Sequence, residues 1–195
     1  MASKDEARRK AIAAVNAIFE RYRLIVKQRP DGHVDFDHGV MKDLKLLDAG
    51  PEGSTLYEIR IDEKYSNLNN IMHGGATATI FDMSTMSALG PLQRPGYWYF
   101  MGGITRALNV SYLRAVPIGT TIRVRNWVVQ HGRTMAMIRG EMFSGGDGKG
   151  VYAVAEHHKV HLPTRAEHLS VRLKWDDDIE AQARAEEEQK TKARI

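Results

Sequence analysis

The run GGATATIFDMSTMSAL, residues 74–89, most constrains how this chain folds. It is longer than most strands, apolar on nearly every side and opened by two glycines, so it predicts a buried helix. Such a helix needs walls. The sequence after it supplies them in four strand-like runs, at roughly 104–114, 120–131, 133–144 and 150–162. They are separated by Pro117-Ile118-Gly119, His131-Gly132-Arg133 and a glycine-rich stretch from Gly145 to Gly150, which read as hairpin-type connections and hence an antiparallel sheet. One apolar helix beside consecutive antiparallel strands predicts an α+β architecture, a sheet wrapped around a helix.

Residues 4–28 place Ala11, Val15, Ile18, Phe19, Tyr22 and Ile25 at three-and-four spacing, the pattern of an amphipathic helix packed across the body. Arg29-Pro30-Asp31-Gly32 stops it, because the residue before proline avoids helical angles and Asp-Gly favours a turn. Val40 to Leu47 reads as a short strand leading into the turn Ala49 to Gly53. Tyr57, Ile59 and Ile61 then alternate on one face of a second strand. From Trp175 the chain is charged and alanine-rich, with Asp176 to Asp178 placed to start a helix; this reads as a solvated or frayed surface appendage. The expected divisions are a helical extension and lead-in over 1–50, a central domain over 51–162 and a charged tail over 163–195.

The chain of 195 residues is 43% hydrophobic, enough for one packed core, and no apolar run approaches the ~18 residues of a membrane span. The absence of cysteine excludes disulfides, thiolate zinc sites and a cysteine nucleophile, and suits a reducing, cytoplasmic setting. The N-terminal stretch carries Asp5, Glu6 and Glu20 and no apolar block with a cleavage site, so it is not expected to be a secretory signal. Ala193-Arg194-Ile195 loosely resembles the small-basic-aliphatic peroxisomal terminus, with isoleucine in place of leucine, which leaves a peroxisomal address open. Net charge is +4, yet residues 176–195 hold seven acids against four bases, so the body is near +7. A basic body suits a phosphorylated ligand, an anionic surface or nucleic acid, and charge alone does not choose.

The motifs choose. In Asn67 to Asp82 a polar loop, His73-Gly74-Gly75 and a helix meet. Two glycines at a helix entrance let the backbone approach a ligand, and the first N–H groups point outward at the positive end of the helix dipole, a place for an oxyanion. Asp82 lies two turns further on among Ile80, Phe81 and Met83, where a carboxylate can serve as general base or nucleophile. Taken singly, each feature has an ordinary reading: a helix carboxylate bonded to Thr79 or Ser84, a capping histidine, a tight turn.

Together, His73-Gly74-Gly75, Asp82 nine residues after the histidine, Asn67 six before it and the strands beyond the helix resemble the hotdog-fold acyl-CoA thioesterases, particularly the phenylacetyl-CoA-thioesterase-like branch. The resemblance covers roughly residues 54–162 and includes Gly103-Ile104-Thr105, Leu108 to Leu113, Pro117-Ile118-Gly119 and Gly132-Arg133-Thr134. It implies a curved antiparallel sheet around a central helix, and a homodimer or homotetramer with active sites between subunits. Asp82 would come from one subunit. Asn67, His73 and Gly74 would come from another, Gly74 N–H polarising the thioester carbonyl, His73 supporting its turn and Asn67 helping to place water. Thr105 falls where relatives carry a water-orienting serine; the hydroxyl is kept and a methyl is added. No metal or separate cofactor is implied, since coenzyme A arrives as part of the substrate.

For that substrate, Arg133, Arg139, His158 and Lys159 are candidate phosphate contacts, and Gly75 lies at the ligand entrance. Met83, Met86, Leu89 and Trp98-Tyr99-Phe100-Met101 are candidate acyl-pocket residues. The competing readings are a noncatalytic acyl-CoA-binding hotdog protein and a hotdog dehydratase, which would need another His and acid arrangement. Nucleic-acid binding is not expected, because no basic-aromatic motif accompanies the charge.

Overall fold

The computed structural model describes residues 3–100, 103–146, 148 and 150–192. Helix α1 (Lys4–Lys27) starts where Ser3 Oγ accepts from Glu6 N–H at 3.1 Å, with Asp5 and Glu6 in its first turn favouring the dipole. Its apolar stripe, Ala11, Ala14, Val15, Ile18 and Phe19, is buried against the body. Gly90 lets the chain pass close beneath it, for a Cβ there would stand 3.0 Å from Ile18 Cδ1.

Six strands form one antiparallel sheet: β1 (Lys45–Gly50), β2 (Ser54–Arg60), β3 (Ile104–Tyr112), β4 (Thr121–His131), β5 (Met135–Ser144) and β6 (Val151–Val160), in the order β1-β2-β4-β5-β6-β3. Strand β1, just before the division expected at residue 51, is the sheet's first strand. The sheet wraps α3 (Gly74–Ser87), which contacts β2, β3, β4, β5 and β6. Ile80, Phe81, Met83 and Met86 enter the core with Tyr57, Ile59, Ile61, Ile122, Val124 and Met142. Gly140 is required under the helix: a Cβ there would lie 2.8 Å from Phe81 Cδ1 and 2.9 Å from Asn126 Oδ1.

Buried Ser84 and Ser87 of α3 are paired with the sheet, as burial requires. Tyr57 and Ser87 share a 2.6 Å hydroxyl contact, and Ser84 donates to Asn126 Oδ1 at 3.4 Å while Asn126 donates to Thr55 at 3.1 Å. Because inward positions on a strand alternate, Thr55, Tyr57 and Ile59 face α3 together.

Three expectations are corrected. Val40 to Leu47 is not one strand: α2 (His38–Asp43) occupies its first half and buries Val40 and Met41, and only from Lys45 does the chain pair with β2. Asp43 accepts from Tyr65 at 2.9 Å and pairs with Lys64, which ties down the helix end before the strand. The Pro117 to Gly119 connection is not a hairpin either. It carries the chain from edge strand β3 across to β4, held by Met72 N–H to Val116 O at 2.9 Å and Gly119 N–H to Ile61 O at 2.7 Å.

The tail is not a loose appendage. After the short helix α4 (Ala166–Leu169), α5 (Lys174–Lys192) is anchored by Asp176, which pairs with buried Arg21, accepts from Tyr99 and accepts from Leu173 N–H at 2.7 Å. Both charged side chains are almost fully buried, and Val171, Leu173 and Ile179 close around them. The proposed peroxisomal tripeptide 193–195 lies outside the described residues.

Candidate functional site

The loop before α3 is built from its own side chains. Asn67 Oδ1 accepts from Asn69 N–H at 2.8 Å and Ile71 N–H at 3.4 Å, and Asn70 turns through a positive φ of 57°. This use of the Asn67 carbonyl leaves its amide NH2 as the group available to a ligand. His73 is the N-cap of α3, with Nδ1 accepting from Gly75 N–H at 2.8 Å. Gly75 N–H is therefore taken, while Gly74 N–H, at the first helical position, has no intrahelical acceptor. Tyr112 donates to Gly74 O at 3.0 Å and holds the entrance in place.

Two turns on, Asp82 stands at the centre of a cluster. Thr105, on edge strand β3, donates to Asp82 Oδ1 at 2.7 Å and stands 2.9 Å from His157 Nε2; His157 Nε2 is 3.3 Å from the same Asp82 oxygen. On the other side of the ring, His157 Nδ1 is 2.6 Å from Thr85 Oγ1. Asp82 is 39% exposed and His157 fully buried, so the carboxylate reaches solvent while the imidazole supports it from behind.

Proton counting fixes the imidazole. Thr85 has one hydroxyl hydrogen and donates it to Phe81 O at 2.5 Å, so it accepts from His157 Nδ1–H. Nε2 is then the unprotonated nitrogen. Burial, with help from the charge of Lys159, lowers the His157 pKa to about 4 against the pull of Asp82, so the ring is neutral at pH 7. Thr105 gives its one hydrogen to Asp82, so His157 Nε2 keeps a lone pair facing the same small space.

Lys159, two residues along the same face of β6, is 3% exposed. Burial pushes its pKa down to about 8, and the charge of Asp82 opposes that fall. His158 points to the other face, where Nε2 contacts Glu156 at 2.9 Å; Arg139 reaches the same carboxylate at 3.5 Å. The four candidate phosphate contacts are therefore divided: Lys159 inside near Asp82, Arg139 and His158 on the outer face, and Arg133 exposed at the β4–β5 turn.

Met83 and Met86 are 6% and 3% exposed and belong to the core of the single chain. Trp98 donates to Gly132 O at 2.8 Å, and Phe100 lies under the Arg21 guanidinium. Both are committed to packing, and Met101 lies outside the described residues. Reading the sequence missed His157 and Thr85. The signal was the inward register of β6: Ala153, Ala155, His157 and Lys159 alternate on the buried face, but Tyr152, Val154 and Val160 make the outer face equally apolar.

Within one chain, Gly74 and Asp82 are eight residues apart on a helix, about 12 Å along its axis. One carbonyl cannot meet both. Among the described residues no helix is long and apolar enough to cross a membrane, and no group of three His, Asp or Glu could hold a metal.

Residues 69–151 match the family model described as the Thioesterase superfamily. Human acyl-coenzyme A thioesterase 13 is 28% identical over 123 residues, covering 63% of this chain and 82% of that protein. A putative esterase of Caenorhabditis elegans is 32% identical over 108 residues, covering 55% of this chain and 60% of its own length. Among solved structures, zebra fish thioesterase superfamily member 2 superposes with a TM-score of 0.60 at 26% identity, covering 75% of this chain and 96% of that one. The hotdog fold and the thioesterase resemblance read from His73-Gly74-Gly75 and Asp82 are borne out.

Proposed function

We propose that this chain, a thioester hydrolase by its relatives, cleaves acyl-CoA at a site composed between two copies of itself. Asp82, Thr105 and His157 come from one copy, and the Gly74 N–H with Asn67 and His73 from the other. The observation that carries the reading is the Thr105–Asp82–His157 cluster, a half-exposed carboxylate with a fixed hydroxyl and a neutral imidazole at 2.7–3.3 Å. The available oxyanion donor, Gly74 N–H, lies about 12 Å away on the same helix. A second copy brings such groups together without changing either chain, and β3 offers the edge for it. Thr105 is on that strand, which pairs only with β6 among the described residues and leaves Ile104 and Tyr112 54% and 55% exposed.

In this reading a water donates one hydrogen to Asp82 and attacks the thioester carbon, and the oxygen that becomes negative is held by Gly74 N–H. Thr105 and His157 Nε2 fix the water's remaining orientation. Collapse of the tetrahedral intermediate breaks the C–S bond; the proton taken by Asp82 passes to the departing sulfur, giving free acid and coenzyme A. Direct attack by Asp82 is the variant mechanism, through an anhydride that water then opens. Gly75, at the entrance of α3, borders the acyl approach, and the exposed Arg133 is the cation offered to the nucleotide. A reducing, cytoplasmic setting suits a chain without cysteine.

Subunit mixing tests the composite site. Asp82→Ala and Asn67→Ala carry their defects in different half-sites, so an inactive mixture of the two, unfolded and refolded together, regains a fraction of wild-type thiol release in sites that draw both intact halves. Mixtures no more active than their parents would place all the groups in one chain. A dimer that binds acyl-CoA without ever releasing thiol would favour a noncatalytic binding protein.

A further inference from the structure

Away from the Asp82 cluster, a cavity of about 420 Å³ lies between α1, the segment 91–97 and α5. Neither Asp82, Thr105 nor His157 lines it. Its wall is largely apolar, with Leu92, Tyr97 and Ile179, and among the described residues its charged lining residues are Lys10 and Arg94. Among the described residues no aspartate or glutamate lines it, although α5 is rich in acids. The acids of the first turns of α5 are matched elsewhere: Asp176 to Arg21, Asp177 and Glu180 to Arg172, and Asp178 to Lys174.

The basic groups are less well matched. Arg94 lies 4.4 Å over the Tyr97 ring and has no carboxylate partner among the described residues. Among the described residues the one carboxylate at Lys10 is Glu6, an exposed 3.6 Å contact one turn away and a weak pair in water. Two further residues of the wall carry buried N–H donors without acceptors among the described residues, Gln93 Nε2 and Trp175 Nε1, and Gln93 is only 8% exposed. Buried donors left unpaired are a free-energy cost that an incoming acceptor can relieve. Pockets for small ligands run from about 300 to 1,000 Å³ and combine apolar walls with a few polar groups.

We infer that this cavity binds a medium-length acyl carboxylate, its hydrocarbon against Leu92, Tyr97 and Ile179 and its carboxylate at Arg94 and Lys10. A neutral alcohol leaves the two cations unanswered, and an amine meets them with like charge. Free acids are also the product class of the proposed hydrolysis. That link rests on the hydrolytic reading, whereas occupancy of the cavity does not.

Calorimetric titration of the full chain with decanoate, below its micelle concentration, tests the site. It is run on the Asp82→Ala protein so that neither hydrolysis nor the state of the catalytic carboxylate enters. One decanoate per chain is expected, with decanol at least tenfold weaker. The exposed double substitution Lys10→Gln/Arg94→Gln should weaken decanoate at least tenfold and leave decanol unchanged. Ile179→Ala, which shortens the wall, should weaken both probes. Absence of saturable decanoate binding, equal affinity for decanol, or an unchanged affinity in the double variant overturns the proposal. Loss of thiol release elsewhere with decanoate binding intact would instead bear on the hydrolytic reading alone.

Discussion

Lys159→Met should stabilise the protein at pH 7, an inversion of the usual effect of changing a residue that is 3% exposed. Burial lowers the pKa of this lysine from its ordinary 10.5 to about 8, with Asp82 only partly opposing the fall. At pH 7 the ammonium is charged in both the folded and the unfolded chain. The lowered folded value then corresponds to a penalty of about 3 kcal/mol, each factor of ten in proton affinity being worth 1.36 kcal/mol. Methionine keeps much of the side-chain volume and carries no charge, so it removes the penalty. A chain of this size shifts its Tm by about 2–4 °C for each kcal/mol, which makes the expected rise about 6–12 °C. Between pH 8 and 10.5 the unfolded lysine holds a proton that the folded lysine has lost, so wild-type stability gains on the variant as pH rises through that window. By pH 10.5 the two proteins should be nearly equal. Urea unfolding of both proteins at half-unit intervals from pH 7 to 10.5 gives the difference directly, and tyrosine titration cancels from it. A variant less stable than wild type at pH 7, or a difference that does not change with pH, would refute the reasoning.

Further outcomes are expected from particular contacts. Asp176→Ala leaves Arg21 buried without its partner and Leu173 N–H without its acceptor, and should cost about 3–5 kcal/mol in denaturant unfolding, with α5 amides the first to lose hydrogen-exchange protection. Asp176 is pushed upward by burial, but its bonds to Arg21, Tyr99 and Leu173 N–H outweigh that and hold its pKa below the ordinary value, so this clasp should weaken as pH falls through that lowered folded value. Gly140→Ala drives a methyl into Phe81 and Asn126 and should cost about 1–3 kcal/mol by thermal unfolding, with the largest shifts in α3 resonances. His157, neutral in the fold with a pKa near 4, takes up its proton more readily when unfolded; stability should therefore decline as pH falls from 6.5 towards 4, and His157→Gln should flatten that decline.

The amino-acid pattern made the centre of the fold legible. An apolar run that begins with Gly74-Gly75 has no stable place except inside a sheet, and the period-two alternation through Tyr57, Ile59 and Ile61 told which face meets it. Strand order was less visible, because Pro117 to Gly119 has the composition of a hairpin turn while long-range bonds to Ile61 and Met72 make it a crossover. Helix α2 was hidden because Val40 and Met41 also suit a strand, and the bonds that anchor its end come from Tyr65 and Lys64. The clasp of α5 depends on Arg21 meeting Asp176 across 155 positions, and nothing local in either segment announces it. At the site, Asp82 and Thr105 were found through their spacing from His73-Gly74-Gly75 and the strands beyond the helix. His157 and Thr85 were not, since a histidine beside another histidine and a lysine read as a basic surface until the register of β6 turned it inward.

The central claim is that Asp82 drives thioester cleavage. Release of free thiol from short, medium, long and aromatic acyl-CoAs, compared between wild type and folded Asp82→Ala, tests it most directly. The account predicts wild-type turnover on at least one class and a loss of at least a hundredfold in the variant, of the size that general-base catalysis supplies. Wild-type turnover by Asp82→Ala, or no thiol release from any acyl-CoA by a wild type that binds coenzyme A, would contradict it.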